Sequence, residues 1–164
     1  MLKGLAAGLV GGLVASWTMN RFQELWFSLA DKRQPEEALP LNPEEQDDTT
    51  VRTASAISEG LFDHRLTKAE KKIAGPAVHY SLGTGVGGLY GAVAEVVPGV
   101  TAGAGLPFGA AFWLVVDEGA VPILGLSKGP TAYPLSTHVY ALTSHFVYGL
   151  TTELVRRSLR DALR

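Results

Sequence analysis

The run Ile73-Ala74-Gly75-Pro76-Ala77-Val78-His79-Tyr80-Ser81-Leu82-Gly83-Thr84-Gly85-Val86-Gly87-Gly88-Leu89-Tyr90-Gly91-Ala92-Val93-Ala94-Glu95-Val96-Val97-Pro98 contains a single charged residue, Glu95. The next charge along the chain is Asp117. A soluble domain spreads charge over every element, because each element turns one face to water. Here charge is dense between Asp31 and Lys72 and nearly absent from Ile73 to Val116. That segregation decides the class more firmly than the mean hydropathy of +0.15. It predicts an all-α, polytopic membrane protein.

A spanning helix needs roughly 20 mostly apolar residues. The quoted run predicts one over 73–97, closed by the punctuation Pro98-Gly99. Thr67-Lys68-Ala69-Glu70 is a capping box that opens it, and Lys71 and Lys72 mark the water boundary. Downstream, a third span is expected over 100–124, interrupted near its end by Asp117, Glu118 and Pro122. A glycine- and proline-rich loop covers 125–134, and a fourth span covers 134–156, its helix reaching about Arg160. Upstream, 4–29 is the first span. Trp17 and Trp26 suit the aromatic belt, and Asn20, Arg21 and Glu24 are expected to turn inward. No small-residue cleavage site precedes Trp17, so this stretch is read as an uncleaved helix.

The aqueous segment is 31–72. Within it Asn42-Pro43-Glu44-Glu45 reads as a helix start, and Val51, Ala54, Ile57 and Leu61 recur on one face. The expected fold is therefore a single membrane domain over 1–164: four transmembrane helices in a glycine-rich bundle, plus an amphipathic loop helix. Gly4, Gly8 and Gly12, then Gly83, Gly87 and Gly91, and again Gly105 and Gly109 recur every fourth residue. Such stripes let helices approach closely in lipid, and intrachain packing is the simplest use of them. Arg156, Arg157, Arg160, Arg164 and Lys3 favour cytoplasmic termini; Lys32, Arg33, Lys68, Lys71 and Lys72 argue the other way. The long loop follows the charge rule poorly, so the termini decide.

There are no cysteines, which excludes disulfides, thiolate metal sites and cysteine nucleophiles. The formal net charge of -2, with no long basic run, argues against a nucleic-acid partner. The expected partner is the lipid bilayer, with a homo-oligomer or a membrane complex left open.

Two stretches resemble a known family. Tyr90-Gly91-Ala92-Val93-Ala94-Glu95-Val96-Val97-Pro98, following His79, is similar to a stretch of the YagU-like bacterial inner-membrane proteins. Glu153-Leu154-Val155-Arg156-Arg157-Ser158-Leu159-Arg160 is similar to that family's closing segment, and His145 falls about where the family carries a histidine. The resemblance covers roughly the C-terminal half and the layout of the first helix. Asp117-Glu118 departs from it, standing where a histidine-containing stretch is expected. The resemblance implies a bacterial inner membrane and supplies no catalytic residues.

Gly83-Thr84-Gly85-Val86-Gly87-Gly88 satisfies the dinucleotide-binding pattern, but it lies inside an apolar helical run rather than after a strand. Depth is more informative. Connectivity carries His79, Asp117, Glu118, His138, Arg21 and Glu24 toward the side of the long loop, with His145 two turns deeper on the face of His138. Ionisable groups inside a membrane are costly and usually face the bundle interior. Histidine and carboxylate chains relay protons. His79, Glu118 and His138 are also suitable ligands for a divalent metal, and a histidine pair could hold haem, although no cofactor is the simpler expectation. A buried polar layer also serves to fix helix register. The leading expectation is a structural, regulatory or stress-related membrane protein with no enzymatic activity. A small transporter or proton conductor, and a metal- or haem-binding protein, are the alternatives. Glu95 is expected to pair with Arg156 or Arg157.

Overall fold

A computed structural model describes residues 1–30 and 47–162. Its regular structure is all α, with no strand among the described residues. Among the described residues the α-helices are, in order, α1 (Leu2–Ala30), α2 (Thr49–Phe62), α3 (Lys68–Val93), α4 (Leu106–Val115), α5 (Val121–Ile123) and α6 (Leu135–Ala162). Helix α1 packs against both α3 and α6; α4 packs on α6, and α2 on α3.

The helix starts follow local chemistry. Thr67 accepts from the Glu70 amide while the Glu70 carboxylate accepts from the Thr67 amide, so the capping box forms. His64 Nε2 lies 3.1 Å from the same carboxylate. Asp48 caps α2 by accepting from the Val51 amide. The expected start at Asn42-Pro43 lies outside the described residues. On α2, Ala54 is buried and Val51 meets Gly75 of α3, whereas Ile57 and Leu61 are exposed.

The glycine stripes are intrachain seams. Gly4, Gly8 and Gly12 of α1 run antiparallel against Gly91, Gly87 and Gly83 of α3. A Cβ placed on Gly87 would lie 2.6 Å from the Gly12 Cα and 2.7 Å from the Gly8 carbonyl oxygen, so no side chain fits there. Gly105 and Gly109 make a second seam on α6, where a Cβ on Gly149 would meet the Gly109 amide nitrogen at 2.8 Å.

The third helix starts later than expected. From Pro98 to Gly105 the chain forms tight turns rather than α-helix, with left-handed backbone at Gly103, Ala104 and Gly105. The Gly-Ala repeat makes that reversal accessible, so α4 begins only at Leu106. At its other end, Val116–Ala120 widens into a π-turn in which the Val121 amide reaches the Val116 carbonyl.

The interior is small and polar. Ala7, Ala15, Ser16, Ser144, His145, Tyr148, Thr152 and Glu153 are buried. Large apolar side chains point outward: Leu89, Leu114, Val115, Ile123 and Leu135 are all more than half exposed, Ile123 by 84%. Among the described residues two segments, Leu2–Leu29 and Pro98–Ile123, are long and apolar enough to cross a membrane. Helices α3 and α6 have the length but not the same apolarity, because glycine dilutes one and hydroxyls, histidines and arginines dilute the other.

Candidate functional site

The π-turn between α4 and α5 places Asp117 and Glu118 against α6. An α-helix sends consecutive side chains about 100° apart. The wider turn lets both carboxylates address the neighbouring helix, each with its own histidine.

Glu118 meets His138. The His138 Nδ1 is 2.7 Å from Glu118 Oε1, and its Nε2 is 3.0 Å from the Pro130 carbonyl oxygen. A carbonyl only accepts, so Nε2 carries hydrogen. Nδ1 and Oε1 cannot approach this closely with two bare lone pairs. One proton therefore lies between them, with the pair written as imidazolium–carboxylate or as imidazole–carboxylic acid.

Asp117 faces His145. The His145 Nδ1 donates to the Ala141 carbonyl at 2.9 Å, which leaves Nε2 toward Asp117 Oδ2 at 3.7 Å. His145 is buried beneath the edge of Phe112, with ring centroids 5.2 Å apart. Asp117 is within Coulombic reach of His145, Glu118 and His79. His79 itself turns Nε2 to the Ser16 carbonyl of α1 at 3.4 Å. Trp113, 6.4 Å from His138 between ring centroids, has a buried indole N–H with no acceptor among the described residues.

Arg21 and Glu24 do not join this layer. They pair with each other at 2.8 Å on the exposed face of α1, because i,i+3 neighbours satisfy one another locally. Asn20 donates instead to the Tyr80 hydroxyl at 3.2 Å. The metal grouping of His79, Glu118 and His138 does not assemble either. Among the described residues no three histidine or carboxylate side chains gather as one ligand set.

A second polar cluster sits at the opposite end of the bundle. Glu153 is fully buried and accepts from Tyr90 at 2.9 Å, from Arg156 Nε at 2.7 Å and Nη2 at 2.9 Å, and from Arg157. Glu95 pairs with neither Arg156 nor Arg157, contrary to expectation. Its partner is Arg160, through Nε at 2.6 Å and Nη2 at 2.9 Å, with the N-terminal amine 3.7 Å away. Glu153 claims the two earlier arginines because it precedes them by three and four residues on α6. That spacing was readable in the sequence; the burial of Glu153 was not.

A family model described as a protein of unknown function, DUF1440, matches residues 36–154. The chain belongs to the DUF1440 family. The match covers α2 to α5 and α6 as far as Leu154, and so includes both histidine–carboxylate pairs and Glu153. Helix α1, which forms half of the glycine seam, precedes the residues that match DUF1440. No curated protein and no solved structure matches the chain.

Proposed function

We propose that this chain is a four-span protein of a bacterial inner membrane that takes up and passes protons at paired histidines and carboxylates. The spans are those expected over 4–29, 73–97, 100–124 and 134–156, with the termini in the cytoplasm. The membrane part of this reading is supported by the inverted burial pattern. Apolar side chains cover the outside while glycine, hydroxyls and ionisable groups fill the interior, the arrangement stable when the surrounding solvent is lipid. The collection of Arg157, Arg160 and the N-terminal amine at one end favours that end as the cytoplasmic one. The similarity of Tyr90–Pro98 and Glu153–Arg160 to YagU-like proteins points to the inner membrane.

One observation carries the proton part: the Glu118–His138 pair, whose geometry requires a proton between Nδ1 and Oε1 while Nε2 is held by a carbonyl. A site that must hold a proton, next to the deeper Asp117–His145 pair on the same two elements, suits stepwise transfer. The orphan Trp113 donor beside it suits a wetted site.

The test is reconstitution into liposomes loaded with a pH-sensitive dye, with a potassium diffusion potential as driving force. Proton entry above that of protein-free vesicles, abolished in Glu118→Gln, supports the proposal. Entry equal to protein-free vesicles removes it and leaves the polar layer as a device for helix register, the structural role that heads the sequence expectations.

A further inference from the structure

Between the two polar clusters lies a continuous aromatic layer. Phe112 contacts His145 at 5.2 Å and Tyr148 at 5.1 Å between ring centroids. Tyr148 contacts Phe108 at 5.9 Å, and Phe108 stacks on Tyr90 at 4.1 Å. The Tyr90 hydroxyl then donates to Glu153. Four rings therefore fill the space from His145 to Glu153, roughly 12 Å of rise along α6. Tyr148 is almost fully buried and spends its hydroxyl on the Gly83 carbonyl at 2.5 Å, which fixes its ring across the bundle axis toward α3.

We infer that Phe108 and Phe112, closing against Tyr148 and Tyr90, are the barrier that separates the histidine–carboxylate pairs from the Glu153–arginine cluster. This rests on the membrane-spanning reading above, and it assigns the residues that keep the two faces of the membrane apart. An apolar constriction blocks water and ions by dewetting, with no need for a charged gate.

The element that carries the two phenylalanines is set apart from the others. Helix α4 has only ten residues and lies between the left-handed turn Gly103–Gly105 and the π-turn Val116–Ala120, with Pro122 just beyond. Apart from these two rings it meets α6 across glycine: a Cβ on Gly109 would lie 2.9 Å from the His145 carbonyl carbon. Changes of backbone angle at its two irregular ends can tilt α4 about this glycine contact and move both rings together. The same π-turn carries Asp117 and Glu118, so the barrier and the proton-holding pairs are coupled through one short element.

The chain has no cysteine, so a single introduced thiol reports uniquely. Asp117→Cys, on the loop side of the rings, is treated with a charged, membrane-impermeant thiol reagent applied to either face of oriented vesicles. Reaction is expected from the face bearing the long loop and not from the face bearing the termini. Adding Phe108→Ala and Phe112→Ala raises the rate from the terminal face by roughly tenfold. Phe112→Leu, which shortens the ring contact without opening it fully, gives a smaller rise and serves if the double alanine variant does not fold. Equal reaction from both faces before any ring is removed overturns the barrier. So does a terminal-face rate unmoved by ring removal in a variant of unchanged helicity. One-sided labelling without proton flux keeps the barrier and removes the proton reading. Proton flux with two-sided labelling keeps the proton reading and removes the barrier.

Discussion

His138 Nδ1 lies 2.7 Å from Glu118 Oε1, and because its other nitrogen is bound to the Pro130 carbonyl, the proton between the two side chains has no alternative position on the ring. Replacing Glu118 by Gln substitutes an amide N–H that donates to Nδ1 and leaves the ring neutral. In histidine-labelled protein, the ¹⁵N spectrum of His138 is expected to change from a shared-proton pair to a neutral ring with hydrogen on Nε2. The thermal midpoint in detergent is expected to change little, since the hydrogen bond itself is kept.

The seam between α1 and α3 yields a contrast within one helix. Gly87→Ala places a methyl 2.6 Å from the Gly12 Cα and forces the helices apart, whereas Gly85→Ala meets nothing within 4 Å. Gly87→Ala should cost about 1–3 kcal/mol, the usual range for overpacking. Gly85→Ala should be neutral or slightly stabilising. Thermal melts in one detergent compare them directly.

Glu153 gathers Tyr90, Arg156 and Arg157 on one buried carboxylate. Glu153→Gln leaves two guanidinium groups without their counter-charge, and a loss on the order of 3 kcal/mol follows from breaking one side of a buried ion pair. Glu95→Gln removes the more accessible pairing with Arg160 and the N-terminal amine, and should leave a folded protein of slightly lower melting temperature. A larger effect at Glu95 than at Glu153 would mean that the hub lies elsewhere.

The start of α3 responds to acid with a definite sign. Hydrogen bonds from Thr67, with His64 adding to them, hold the Glu70 carboxyl below its ordinary value. A depressed folded value means that this contribution is complete above the ordinary carboxylate range and is lost as pH falls through the depressed value. Amide exchange at Lys71 and Lys72 should therefore rise relative to mid-α3 only in acid. Thr67→Ala should show the faster exchange already at neutral pH.

The sequence made the glycine seams legible because four-residue spacing on a helix has one geometric meaning, and Gly4, Gly8 and Gly12 met a matching stripe on α3. The capping box at Thr67 was legible for the same local reason. Depth placed Asp117, Glu118, His138 and His145 near one another, but not their pairing. The pairing depends on a π-turn, and Val116-Asp117-Glu118-Gly119-Ala120 carries no residue that demands one. Depth alone puts Arg21 and Glu24 in the layer, and rotation about the α1 axis sends them outward. Glu153 was missed because its spacing to Arg156 and Arg157 reads equally well as an exposed helix pair; only Tyr90, distant in sequence, makes it a buried hub. The aromatic layer draws on three helices: Phe108 and Phe112 share one face of α4 by their four-residue spacing, but nothing in the sequence joins that face to Tyr90 and Tyr148.

Whether the Glu118–His138 pair passes protons is decided by proton entry into liposomes driven by a potassium diffusion potential, with wild type, Glu118→Gln and protein-free vesicles measured side by side. Wild-type entry is expected well above the protein-free rate and Glu118→Gln entry close to it, with both proteins equally folded. Wild-type entry no faster than protein-free vesicles, or Glu118→Gln entry equal to wild type, would contradict proton passage at that pair.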